Sequence, residues 1–453
     1  MKENKPELPC KTGDKYNLLI TDLNHRGEGV GKIDGYTIFT DGALPGEKVE
    51  VKINAAHKNY ASASLINVLD ESPDRIQPEC PYFGNCGGCQ IQHLSYPKQL
   101  DWKRSRVSET LKRISGINAE VKPVLGMNDP WHYRNKAQVH FQIINGRIAA
   151  GFFEKESHNV IDISECPVQH PQNSTLINIL REALTFYLKD NCSIKIGQIP
   201  LSGAILRSSF TDVQNLVIFN SPSEKHTKAY AELAELVNKI SDKKAKGILV
   251  RQQTGSSFNK PVILSGLDYI EETIAPFRYK ISASSFFQVN SRQAAVLYKV
   301  AAELADKSNT AYDLYCGTGN FTLHLSLTAK KVIGVDSNPS AIADAIENAA
   351  FNGVKNADFV CARVEEINNL INIDDRPVTV FLNPPRGGCS NVLLERVGKT
   401  SPDQVVYISC NPATLARDLK QMVTKGYTIN QVQPIDMFPH TSHVETVVLI
   451  TRV

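Results

Sequence analysis

At 453 residues the chain is long enough for two or three domains with buried cores, and too long for one small module. Hydrophobic residues make up 42% and charged residues 21%, which excludes disorder, a collagen or one long coiled coil as a description of the whole. Fifty Lys and Arg against 47 Asp and Glu leave a formal charge of +3, so any nucleic-acid surface must be local.

The first residues, MKENKPELPCKTGDK, are polar, and no later stretch approaches the roughly 18 apolar residues of a membrane span. The expectation is a cytoplasmic protein with neither secretory signal nor membrane span. Its ten cysteines should then be reduced, which makes clustered ones candidates for metal binding or catalysis.

In chain order, residues 10–70 read as short strands with tight turns: YNLLI, the glycine-spaced RGEGVGKIDG, YTIFT, then VEVKI with period-two alternation. This pattern predicts a small closed barrel over 1–70. SPDR and Pro78 read as a linker. Between Pro97 and Gly116, Leu100, Val107, Leu111 and Ile114 recur like one helix face, with basic residues on the other. From Lys98 to Lys136 there are nine Lys or Arg and four Asp or Glu, and both tryptophans, Trp102 and Trp131, fall here. That mixture suits phosphates and unstacked bases, or equally a solvated helix face with two core tryptophans. Residues 71–275 as a whole read as an α+β domain, with strand-like AQVHFQI and GILVRQQ and a helical pattern at 172–189. From 276 to 453, strand, glycine turn and helix repeat, which predicts a parallel, doubly wound, Rossmann-like sheet.

In DLYCGTGNFTL a strand ends in Gly317 and Gly319 and runs into a helix, so backbone there can approach a bound group closely. Position 322 is Thr, and the third glycine of a pyrophosphate fingerprint is missing; a smaller adenosyl compound fits better. Gly317, Gly319 and Asn320 are the candidate contacts of this turn. Asp336 ends the next strand, nineteen residues after Gly317, where a carboxylate can accept from both ribose hydroxyls. Together with NPPR these elements favour an S-adenosylmethionine site. Asn383 sits at the tip of a further strand, where its amide can serve the methionine end of the cofactor or the substrate base. Arg386 stands where methyltransferases acting on amino groups usually carry an aromatic residue, which disfavours amino methylation.

VVYISC ends a strand at Cys410 and a helix starts almost at once, so the helix dipole should lower the thiol pKa. Carbon 5 of uracil is too weak a nucleophile for a methyl sulfonium until a thiolate adds at carbon 6. A general base must then remove the carbon 5 proton, and Glu445 in SHVETVVLI is the candidate. Cys80, Cys86 and Cys89 lie in CPYFGNCGGC, and CP recurs at Cys166. Three ligands from one tight loop plus a remote fourth favour an iron-sulfur cluster, with structural zinc as the rival.

The motifs CPYFGNCGGCQIQH, FFQVN, DLYCGTGNFTL, GVDSNP, NPPRGG, SCNPATLARDL and HVETVVLI stand in this order, and in them nearly the whole chain resembles the RNA uracil-5 methyltransferase family. The resemblance implies a TRAM domain, an OB-like RNA-binding β-barrel, in the first seventy residues. It implies a [4Fe-4S] cluster on Cys80, Cys86, Cys89 and Cys166, with a role in folding or RNA docking. By the same resemblance Gln288 of FFQVN, Tyr315, Asp336 and Asn383 would bind S-adenosylmethionine, Cys410 would be the nucleophile and Glu445 the base. Asp336 replaces a frequent Glu, and Asn383 a frequent Asp, so Asn383 cannot act as a carboxylate. A stacked or paired uridine must be extruded, and Phe286, Phe287 or Arg134 would fill the gap or stack on it. The expected partner is structured RNA, 23S ribosomal RNA first and tRNA second, with no obligate protein partner. A non-catalytic iron-sulfur RNA-binding protein is the rival of another class.

Overall fold

Six strands form the N-terminal sheet: β1 (Lys15–Leu19), β2 (Asp22–Leu23), β3 (Gly29–Ile33), β4 (Tyr36–Thr40), β5 (Lys48–Ala56) and β6 (Tyr60–Asp70), in the order β1-β5-β6-β4-β3-β2. Alternation sets its inner face: Val49, Val51 and Ile53 of β5 are buried, while Lys48 and Lys52 are exposed. The sheet curls until Gly31 of β3 lies against β1, where a Cβ would stand 3.3 Å from Leu18. In this computed structural model the described residues are 8–190, 201–222, 227–242, 245–254, 257–305, 308–369 and 371–452; residues 1–7 of the expected first domain lie outside them.

The segment read as a linker is clamped to the barrel. Arg75 donates through Nε and Nη2 to the two oxygens of Glu47, at 2.5 and 2.8 Å, and Glu47 is fully buried. After it comes α1 (Tyr96–Ser115), whose buried stripe is Gln99, Lys103, Val107 and Leu111, one residue every four; Ile114, expected on that face, is exposed. Lys103 belongs to the basic set assigned to solvent, yet its Nζ donates to Asp436 Oδ1 at 2.5 Å with both side chains fully buried. Both tryptophans are partly buried. Trp131 stacks on His440 at 3.8 Å, and Trp102 lies against the cluster of Leu23, Leu44, Ile91 and Leu94.

The central sheet holds β7 (Lys136–Ile144), β8 (Arg147–Phe153), β9 (Val160–Asp162), β10 (Gly203–Ser208), β11 (Asn215–Ser221), β12 (Gly247–Thr254), β13 (Ser257–Phe258) and β14 (Val262–Gly266). Its order is β13-β12-β11-β10-β7-β8-β9, with β14 also paired to β12. Helices α2 (Pro171–Asp190) and α3 (Thr227–Ile240) cover one face, where Leu180, Leu184, Tyr230 and Leu233 meet Val217 and Phe219. On the other face Ile205, Leu216, Ile218 and Leu249 share a core with the hairpin of β15 (Tyr269–Ile274) and β16 (Phe277–Ser282).

The C-terminal layer runs α4 (Ser291–Leu304), β17 (Thr310–Leu314), α5 (Asn320–Leu325), β18 (Lys331–Asp336), α6 (Pro339–Phe351), β19 (Ala357–Cys361), β20 (Val378–Leu382), α7 (Asn391–Thr400), β21 (Gln404–Ser409), α8 (Pro412–Thr424), β22 (Tyr427–Ile435) and β23 (Glu445–Arg452). The strand order is β19-β18-β17-β20-β21-β23-β22. β17 and β20 are buried at every position, as strands covered on both faces should be. The wholly parallel sheet expected from the sequence is corrected at one edge: β23 runs antiparallel to both neighbours, because a loop too short for a crossover joins it to β22. Helix α1, although within the stretch expected as central domain, packs here, its Val107 and Leu111 sharing a core with Leu415 and Leu419 of α8. Among the described residues no helix is long and apolar enough to cross a membrane.

Candidate active site

The carboxyl ends of the parallel strands meet at one edge, where open α/β sheets hold ligands. Beyond β17 the chain turns through Tyr315 and Gly317, both left-handed with φ of +69° and +56°. For a tyrosine that backbone stores about 1–3 kcal/mol, held by Tyr315 N donating to Val335 O at 2.9 Å. A Cβ on Gly317 would meet nothing within 4 Å, so the turn is open on its ligand side. Gly319 has a different reason. A Cβ there would come within 2.9 Å of Ala345 and 3.0 Å of Phe359, so packing against α6 and β19 also requires a glycine at this position.

Asp336 is oriented by the turn itself: Gly317 N donates to Oδ2 at 3.0 Å and Asn338 N to Oδ1 at 2.9 Å. Asn320 opens α5, buried, with Thr318 Oγ1 donating to its Oδ1 at 3.3 Å. The same hydroxyl lies 3.3 Å from Phe286 O, which brings the Gln288 segment to the turn, and Asn383 N lies 3.3 Å from Leu314 O. Gln288, Tyr315, Asn320, Asp336 and Asn383 therefore gather around the end of β17. An open glycine turn beside a fixed carboxylate and neutral amides fits an adenosyl cofactor. Of the three extrusion candidates, Phe286 is 70% exposed, whereas Phe287 is 3% exposed and packed beside Tyr279. Burial removes Phe287 from any role in stacking on a base. Arg134 is half-buried at the rim of the cysteine cavity.

Cys410 and Glu445 lie abreast. The β21–β23 ladder ends with Ser409 opposite Thr446, which leaves the next residue of each strand side by side at the sheet edge. Burial pushes the Glu445 carboxyl up to about 8, opposed by Arg386. The expected lowering of the Cys410 thiol is overturned: burial, then the Glu445 charge, pushes it above its ordinary value, and Arg386 opposes both. Arg386 thus faces thiol and carboxyl together. Its carbonyl accepts from Asn411 Nδ2 at 3.2 Å and Thr414 Oγ1 at 3.3 Å, while Asn411 Oδ1 caps α8 by accepting from Ala413 N. His443 Nε2 lies 3.5 Å from Arg386 Nη2, and burial with the surrounding cations pushes its pKa down to about 4. A cavity of about 400 Å³ opens over Cys410, lined by Arg386, Asn411 and His443 and, across it, Arg106, His25 and Arg26. The sequence reading used Arg386 only against amino methylation and did not assign His443; a cation directly after two prolines at a strand end was the available signal.

A second cavity, of about 430 Å³, is lined by Cys80, Cys86, Cys89 and Cys166 together. Burial pushes Cys89 up to about 12 and Cys166 to about 11. Among the described residues no three His, Cys, Asp or Glu side chains are grouped so as to hold a metal ion. Four thiols lining one cavity are the donor set that an iron-sulfur centre takes.

Residues 95–453 match the family described as tRNA (Uracil-5-)-methyltransferase, and residues 9–66 match the TRAM domain. An RNA methyltransferase of Clostridium tetani is 40% identical over 99% of this chain and 98% of its own, and one of Listeria innocua is 40% identical over 97% and 98%. The crystal structure of Pyrococcus abyssi tRNA (uracil-54, C5)-methyltransferase in complex with S-adenosyl-L-homocysteine superposes with a TM-score of 0.75 at 28% identity, covering 96% of this chain and all of that one. With the open glycine turn, the paired Cys410 and Glu445 and this full-length likeness in view, the chain belongs to the RNA uracil-5-methyltransferase family, with a TRAM domain at its N-terminal end.

Proposed function

We propose that the chain methylates carbon 5 of one uridine in structured RNA, with Cys410 as nucleophile and Glu445 as base. The observation that carries this is the pairing of Cys410 with Glu445 under Arg386, on the same sheet as the strand that ends in the glycine turn. S-adenosylmethionine, held by Gln288, Tyr315, Gly317, Asn320, Asp336 and Asn383, supplies an electrophilic methyl group. Cys410 adds as thiolate to carbon 6 of the uracil, which makes carbon 5 an enolate-like nucleophile. Arg386 favours both the thiolate and the ionised carboxylate. After transfer, with S-adenosylhomocysteine as the leaving group, Glu445 takes the carbon 5 proton, the carbon 5–carbon 6 double bond re-forms and Cys410 is expelled as thiolate.

The TRAM domain and the cysteine cavity support 23S ribosomal RNA as the substrate. A second reading, tRNA, is supported by the likeness to the Pyrococcus abyssi enzyme. Label from tritiated S-adenosylmethionine should enter only one of the two RNAs transcribed in vitro. The four cavity cysteines would hold a [4Fe-4S] cluster in a structural or RNA-docking role. The deciding variant is Glu445→Gln: it should transfer methyl once and stay bonded to RNA through denaturing electrophoresis, because the carbon 5 proton is not removed. Full turnover by Cys410→Ser would overturn the mechanism.

A further inference from the structure

The face of the central sheet turned toward the methyltransferase layer carries cations without anions. Lys136 of β7 stands directly opposite Arg207 of β10 in the ladder. Arg251 of β12 stands opposite Asn220, which stands opposite Gly203, four residues from Arg207 and therefore on the same face. Arg134 reaches the rim, its Nε donating to Lys136 O at 3.2 Å. Among the described residues none of the four has a carboxylate within ion-pair distance, and the charges acting on Lys136 are Arg207, Arg251 and Arg134. Burial, then these neighbours, pushes Lys136 down to about 8, and burial, then Arg251, pushes Arg207 down to about 10.

Arg207 is only 4% exposed, and its Nε has no hydrogen-bond acceptor. A buried guanidinium N–H without a partner is destabilising, and a tetrahedral anion would satisfy it while neutralising its neighbours. The set is also held in place. Arg207 Nη2 donates to Ser285 O, Arg251 Nε donates to Asn220 Oδ1 at 2.6 Å, and the Arg251 guanidinium lies 3.9 Å over the ring of Phe258. Ser285 adjoins Phe286, the exposed aromatic beside the glycine turn.

We propose that Lys136, Arg207 and Arg251, with Arg134 at the rim, form a phosphate site that seats a backbone phosphate of the RNA where its strand passes Phe286. This rests on the reading of the chain as an RNA methyltransferase and adds a sequence-independent anchor on the central sheet, away from the TRAM domain. Such a contact fixes the register of the strand without reading a base.

The test uses the full-length protein with Lys136→Gln and Arg251→Gln, because Arg207 is buried and its loss could prevent folding. RNA affinity is measured against salt concentration, and S-adenosylmethionine affinity and thermal stability alongside. Each variant should bind target and unrelated RNA about tenfold more weakly, and the slope of log affinity against log salt should fall by about one. Arg251→Lys should recover part of the loss, and cofactor affinity should not change. Unchanged RNA affinity and slope in a folded variant would overturn the site. Phosphorus resonance broadening of inorganic phosphate that disappears in Arg251→Gln while RNA binding persists would assign a free anion and overturn the RNA reading. Loss of RNA affinity and slope, in a protein that never labels RNA, would leave this site standing and sink the methylation reading instead.

Discussion

Glu445 illustrates how one buried carboxyl sets a pH profile. Burial holds it protonated up to about pH 8, and a protonated carboxyl cannot take the carbon 5 proton. Cys410 also needs to lose a proton, and its thiol is pushed up by the same burial and by Glu445. The rate at which methylated RNA is released from the covalent adduct should therefore rise with pH and level off only above about 8. Arg386→Gln removes the cation that opposes both shifts, so its rate should fall and its limb move to higher pH; Arg386→Lys should restore part of each. Stability runs the other way. The folded protein holds the Glu445 proton more tightly than the unfolded chain, so stability is lost as pH climbs from the ordinary carboxylate range to about 8. That Cys410 follows a strand end and Glu445 opens the last strand was legible because each stands in a compact local pattern. The direction of the thiol shift was not, since a helix start is local whereas burial depends on everything packed above it.

At the scale of elements, α1 and the loop between β22 and β23 act as a pair. Lys103 donates to Asp436 and to Phe438 O, Tyr96 donates to Asp436 Oδ2 at 3.0 Å, Arg106 donates to Ser442 O, and Gln99 Oε1 accepts from His440 N at 3.0 Å. The loop so gripped carries His443 and leads directly into Glu445. Lys103→Met would leave Asp436 charged and buried with no cation to pair it, and should lower unfolding stability by about 3–5 kcal/mol in denaturant titrations. The double variant Lys103→Met with Asp436→Leu should recover most of that loss. The helix itself followed from its apolar spacing. Its polar half did not, because the partner of Lys103 lies 333 residues away and charge on a helix normally means solvent.

Across the whole molecule, the cysteine segment joins three units. Gly27 of the barrel lies so close to Ile91 that a Cβ would stand 2.9 Å away. Gly87 N donates to Phe153 O of β8, and Gln90 N and Ile91 N both donate to His440 O at 3.1 Å. Anaerobically purified protein should be brown, with iron and acid-labile sulfide in equal amounts. Removing the metal should lower the melting temperature and RNA affinity together. A colourless sample with one zinc per chain would overturn the cluster. The four-cysteine spacing and the strand–turn–helix rhythm were readable in advance because each is a repeated local signal. The docking of α1 onto the C-terminal sheet and the antiparallel edge were not, for both are settled by which faces remain to be covered once the parallel strands have assembled.

The position of β23 between β21 and β22 has a consequence for synthesis. Both flanking strands precede it in the chain and neither pairs with the other, so the sheet joins across that position only once β23 is made. A chain cut short before Glu445 would lack the strand that joins β21 to β22 and would hold a broken sheet.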